Sequence, residues 1–356
     1  RAALDEAYRR GLSRQAEIRS SSPTLLLDPD LKAIPADGQF STETLQRFHQ
    51  DVTDWAKNIY LQLRDDKDMA ECALVIARRI TRFQTKIFRT MALREEDFTR
   101  PIAAVTIEAP SATDREKLNP PFIRVLSCNP SFYELRLPPS AVPIAAPITP
   151  PPPNLISRLR FSDWQVKAYR LATTLWDRLP LRSPRGAVLI LSESDLVKET
   201  AFHFAMRGFE IRHLTPPRIE TSSDIPMTLL REKLEPLVRP RLTDWLVPSA
   251  VAGTEDYLFE EVEADVAQFR TSLPAWRKQL DDLAPNKPKV ILSGWNAGPQ
   301  ATALAIAAGE RGIPQAATQH GVTREISLTG IREEVSYETV TADFLLAYNR
   351  ESARVT

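Results

Sequence analysis

Residues 289–322 read KVILSGWNAGPQATALAIAAGERGIPQAATQHGV, and the reading of this stretch decides the fold. Lys289–Ser293 is a short apolar run of strand type, and Gly294–Pro299 is a turn. Gln300–Glu310 is an alanine-rich helix, and Ile313–Thr318 is a second strand that delivers Gln319-His320-Gly321 at its carboxyl end. In open parallel α/β sheets, ligands bind in the crevice beyond the carboxyl ends of the strands.

The same rhythm extends upstream. Ala187–Leu191 (AVLIL) is a continuous apolar strand of the kind buried on both faces of a parallel sheet. Ser194 caps a helix to Arg207, Gly208 ends it, and Phe209–Leu214 is the next strand, which completes a βαβ unit. Ser162 with Gln165 makes a capping box for a helix with Trp164, Ala168, Leu171 and Leu175 on its inner face. Helices are expected over 226–246 and 255–281.

Residues 1–20 read as a polar helix, and Ser41 caps another that carries Phe48, Val52, Trp55, Ile59 and Leu63 at helical spacing. The helix after it has Ile76, Ile80, Phe83, Ile87 and Met91 on one face. Arg78, Arg82, Lys86 and Arg89 on the other read as a solvated face, or as a surface for a membrane or an acidic acceptor. Ile102–Ile107 is a strand that ends at Glu108, and Phe122–Ser127 and Phe132–Leu137 are expected to pair as a hairpin or to join the same sheet. The proline-rich run 141–153 reads as an extended internal crossover.

Gly312-Ile313-Pro314, Gln319-His320-Gly321 and Ala342–Tyr348 (ADFLLAY), in this order after a βαβ unit, resemble the bacterial GT-B-fold transferases that build surface polysaccharide. These include capsule-type Kdo transferases and teichoic-acid glycerophosphotransferases. The resemblance covers about sixty residues. It implies an α/β fold with a Rossmann-like parallel sheet flanked by helices, the amino-terminal half of a GT-B fold with a helix-rich N-terminal region. The expected division is 1–100 helical, 101–340 acceptor-side domain, and 341–356 the start of a missing nucleotide-binding domain. The activity implied is sugar transfer from a nucleotide-activated donor, such as a CMP- or UDP-sugar, to a growing polysaccharide. A polyol-phosphate transferase, or a non-catalytic α/β interaction module, fits the same residues.

Lys plus Arg and Asp plus Glu both number 46, so the formal charge is zero and nothing in the balance favours a nucleic-acid partner. No run is long and apolar enough for a membrane span, and the expected location is the cytoplasm, with peripheral association at the inner face of the membrane. Cys72 and Cys128 are expected as buried free thiols. Four histidines without close ligand spacing argue against a metal site, and no cofactor is expected. No G-x-G-x-x-G or Walker loop occurs.

Candidate site residues follow from the strand carboxyl ends. Gln319, His320 and Gly321 are the first group: an imidazole and an amide for phosphate or sugar, with a glycine that lets backbone approach a ligand. Glu193 and Asp195 follow strand 187–191, as an acid/base carboxylate and a substrate contact, or as residues of the helix's first turn. Glu108 closes strand 102–107 as a second candidate carboxylate. Trp295 and Asn296 follow strand 289–293; Trp295 either stacks on a sugar or fills the core, and Asn296 binds a sugar hydroxyl. Related enzymes often carry an acid in this loop, and its absence here puts a double displacement at that position in doubt. Arg324 reaches an anionic group, or pairs on the surface with neighbouring acids.

Overall fold

The computed structural model describes residues 2–20, 26–35, 40–107, 122–137, 167, 171, 174, 183, 185–218, 227–294, 296–319 and 341–347. Glu108, Trp295, His320, Gly321 and Arg324, the proline-rich crossover and, apart from residues 167, 171 and 174, the helix expected after Ser162 lie outside the described residues; Leu171, expected on the inner face of that helix, is exposed.

The protein is mixed α/β with parallel sheets. Its helices are α1 (Ala2–Arg9), α2 (Thr42–Leu63), α3 (Ala73–Thr90), α4 (Glu96–Thr99), α5 (Phe122–Leu126), α6 (Asp195–Met206), α7 (Met227–Trp245), α8 (Pro248–Leu283) and α9 (Pro299–Gly309). The strands are β1 (Arg19–Ser20), β2 (Ile34–Pro35), β3 (Ile102–Ile107), β4 (Phe132–Leu137), β5 (Ala187–Ser192), β6 (Glu210–His213), β7 (Pro288–Ser293), β8 (Gln315–Thr318) and β9 (Phe344–Leu346). The chain forms two compact units: residues 1–45, 83–149 and 227–261 in one, and 46–82, 150–226 and 262–356 in the other.

The second unit holds the five-stranded sheet, in the order β6-β5-β7-β8-β9, every neighbouring pair parallel. Its core is made by the runs that read as continuous apolar strands. Val188, Leu189 and Ile190 are fully buried, and Val188 and Ile190 pack with Ile211, Leu292 and Ala316 and with Val197 and Ala201 of α6. Each valine, leucine and isoleucine side chain here contributes roughly 1.5–3 kcal/mol on burial. Phe344–Leu346, expected to open a further domain, is the fifth strand of this sheet. The strand order reverses direction between β5 and β7, and in open parallel sheets that is where the crevice for a ligand opens.

In the first unit, β3 and β4 pair in parallel. Phe132–Leu137 thus joins the sheet of Ile102–Ile107, as one of the two expectations had it, through the long connection that parallel neighbours need; the alternative hairpin with Phe122–Ser127 does not form. Phe122–Leu126, expected as strand, is the helix α5 within that connection. A short apolar run has no period long enough to tell the two apart. Cys128 is exposed rather than buried, while Cys72, in the second unit, is buried and its thiol pKa is pushed up by burial.

The basic stripe of α3 is not a solvated face. In the second unit Arg79 Nε donates to Asp265 Oδ2 of α8 at 2.6 Å, and Arg82 lies 3.8 Å from the same carboxylate. In the first unit Lys86 pairs with Glu261 and donates to the Tyr257 hydroxyl at 2.6 Å. Arg82 and Lys86 of the stripe, with the neighbouring Arg79, meet acids of α8, and Arg78 is buried; the spacing of charges along one helix carries no information about a partner helix far away in sequence.

Candidate functional site

The carboxyl edge of the five-stranded sheet collects small polar side chains from four strands. β5 ends in Ser192, followed by Glu193 and Ser194; β6 ends in His213; β7 ends in Ser293; β8 ends in Thr318, followed by Gln319. The Ser192 and Ser293 hydroxyls are 3.2 Å apart across the strand-order reversal, and those of Ser194 and Thr318 are 3.0 Å apart. Ser194 also accepts the Val197 N–H at 3.2 Å, so it caps α6 as its position before the helix requires. Gln319 is buried, and its backbone N–H donates to the Leu346 carbonyl at 2.9 Å.

Two turns leave this edge beside the reversal. In the β5 turn, Glu193 Oε1 meets His213 Nε2 at 3.1 Å, with Lys198 Nζ 4.0 Å from the other carboxylate oxygen. Asp195 stands in the first turn of α6, with its side chain 93% exposed and 3.6 Å from Lys198. A carboxylate held against an imidazole can orient the ring and move a proton.

The β7 turn is of a different kind. Gly294, Asn296, Ala297 and Gly298 are all buried. A Cβ on Gly294 would sit 2.9 Å from Ser194 Cβ and 3.2 Å from its backbone nitrogen, so the two turns touch through a glycine. Gly298 has φ +94°, outside the range of ordinary L residues, and precedes Pro299 at the start of α9. Arg78, on α3, is buried behind the turn. It donates from Nη2 to the Asn296 carbonyl at 2.5 Å and from Nη1 to Thr302 Oγ1 at 2.7 Å. Thr302 passes the chain on by donating to the Gly298 carbonyl at 3.0 Å. Burial, helped by repulsion from Arg82, lowers the Arg78 pKa to about 10. Among the described residues, the Asn296 amide nitrogen is buried with no hydrogen-bond partner.

Of the residues singled out from sequence, the structure brings Glu193, Asn296 and Gln319 to the carboxyl edge, with Asp195 turned outward beside them. Sequence reading missed His213, although it ends a strand just as Ser192 does, and the same rule would have found it. It also missed Arg78, whose role depends on a loop far away in the chain.

Among the described residues, no helix is long and apolar enough to cross a membrane, and no group of three or more His, Cys, Asp or Glu is placed to hold a metal ion. Comparison with family models, curated proteins and solved structures finds no match.

Proposed function

We propose that this chain is the acceptor-side portion of a cytoplasmic GT-B glycosyltransferase that adds a sugar from a nucleotide-activated donor to a growing surface polysaccharide. The observation that carries the reading is the row of hydroxyl and amide side chains along the carboxyl edge, centred where the strand order reverses. Sugars are recognised through many neutral hydroxyl contacts, and the half-buried Ser192 and Ser194, backed by the buried Ser293, Thr318, Asn296 and Gln319, are groups of that chemistry at the address where open parallel sheets bind ligands. Glu193 is a carboxylate of this edge that stands against an imidazole, that of His213. By the resemblance at Gln319-His320-Gly321, His320 contacts the donor phosphate or sugar, and Glu108 stands as a further acceptor-side carboxylate.

Isothermal titration of the protein, in its longest natural form, against CMP- and UDP-sugars tests the reading. Binding of at least one donor, lost in His320→Ala, is expected. A folded protein that binds none of them sinks the transferase reading in favour of a non-catalytic module. Transfer of a polyol phosphate instead of a sugar would keep the fold assignment and change the product.

A further inference from the structure

The crossovers of the five-stranded sheet cover its two faces unequally. α6 leads from β5 outward to β6, whereas α9 leads from β7 the other way, to β8. Right-handed connections that run in opposite directions put their helices on opposite faces. On its own face α6 packs Val197 and Ala201 with Val188, Ile190 and Ile211 of β5 and β6. Towards β7, β8 and β9 the same face holds a groove of about 600 Å³. Val290, Leu292, Ala316 and Leu346 line it from the strands. Phe204 and Phe209, edge to face with ring centroids 5.3 Å apart, line it from the side of α6. Phe344 of β9 borders it and is 59% exposed. Parallel sheets bury both faces, so apolar surface of this kind calls for an apolar occupant. The charge of the groove is one-sided. Arg185 and Lys289 line it at the amino edge of the strands, and both are exposed. Neither pairs with a carboxylate among the described residues, and no acidic residue lines the groove. Arg185 Nη1 donates to the Arg207 carbonyl at 2.5 Å, which holds the guanidinium beside the end of α6.

We propose that this groove is a second binding site, separate from the carboxyl edge and independent of the transferase reading, for a soluble organic anion with a single alkyl chain. The chain lies over Val290, Leu292, Ala316 and Leu346 and against the Phe204–Phe209 pair. Its carboxylate meets Arg185 and Lys289, where a charge-assisted contact replaces water on two unpaired cations. The volume is that of a small-ligand pocket, and a flat bilayer surface does not reach the floor of a concave groove. Two positive charges at one end and no acid along the lining select an anion over a cation of the same shape.

The test is isothermal titration of the protein in its longest natural form with dodecanoate, kept below its critical micelle concentration. Dodecyltrimethylammonium and decanoate are titrated in parallel, and cosedimentation with phosphatidylglycerol vesicles is measured. Dodecanoate is expected to bind, and the cationic amphiphile to bind at least about tenfold more weakly. Decanoate, with its shorter chain, is expected to lose about tenfold in affinity. Arg185→Gln combined with Lys289→Gln is expected to weaken dodecanoate by about tenfold. Thr200, half-buried on α6, lines the groove, and Thr200→Phe is expected to fill it and abolish binding while thermal unfolding shows a folded protein. Phe344→Ala, at an exposed position, is the second variant and is expected to weaken binding several-fold. Failure of dodecanoate to bind would overturn the proposal. So would equal affinity for the two amphiphiles, or wild-type affinity in both folded groove variants. Binding to vesicles without binding of the monomeric anion overturns it in favour of a membrane surface. A dimer in analytical ultracentrifugation that Thr200→Phe dissociates overturns it in favour of a second copy of this chain.

Discussion

The two turns that leave the sheet on either side of its strand-order reversal are built from opposite materials. The β5 turn, Ser192-Glu193-Ser194, is short and charged, and it is capped by its own serine. The β7 turn is glycine-rich and buried, has no side-chain cap on its helix, and is held from behind by Arg78. One turn offers titratable groups to solvent; the other spends its polar contacts on fixing backbone. Glycine at 294 lets the two meet, since any side chain there would run into Ser194. The lesson is that the edge divides its labour: titratable groups stand on the turn that reaches solvent, and fixed geometry on the buried one.

Substitutions on the two sides should therefore separate. Arg78→Ala should have the largest effect, a loss of about 3 kcal/mol in urea unfolding at neutral pH, because it strands the Asn296 carbonyl and the Thr302 hydroxyl and leaves a cavity. The same experiment carries a pH signature. Burial lowers the folded-state pKa of Arg78 from its ordinary value to about 10, so between the two the unfolded chain binds more protons than the folded one. This group's contribution to stability then rises with pH through that window, and the gap between wild type and Arg78→Ala should widen above pH 10. A gap that narrows there would place the buried charge elsewhere.

Gly294→Ala comes next, at roughly 1–3 kcal/mol, since the new methyl meets the backbone and side chain of Ser194. Thermal unfolding of this variant at wild-type temperature would break the claim that the two turns are in tight contact. Ser194→Ala should cost about 1 kcal/mol for the lost cap of α6. Glu193→Gln should be the smallest, within about 0.5 kcal/mol of wild type in stability. A large loss of stability in Glu193→Gln would make the pair with His213 structural and erase the contrast between the turns.

Much of this edge could be read in advance, for identifiable reasons. Ala187–Ser192 and Pro288–Ser293 are apolar runs between turn residues, and Ser194 stands at the one position where a serine satisfies a helix start, so local chemistry alone was sufficient. The expectation for Phe122–Ser127 failed because a short apolar run is ambiguous without its surroundings. Here Val125 and Leu126 bury their side chains from a helix, and Asn129 closes the segment by donating to the Asp97 and Arg100 carbonyls. The basic face of α3 was misread for a related reason: its complement, Asp265 and Glu261, lies on a helix far along the chain. His213 could be numbered as a strand end, but its pairing with Glu193 depends on β6 lying beside β5, which no local pattern encodes.

The most direct test of the central claim is hydrogen–deuterium exchange of the protein in its longest natural form, with and without a CMP- or UDP-sugar plus a saccharide acceptor. The account predicts that ligand slows exchange in peptides spanning 190–200 and 292–302 together, because both turns line one site. Unchanged exchange in both peptides while the ligand is bound, with protection confined to other segments, would contradict it.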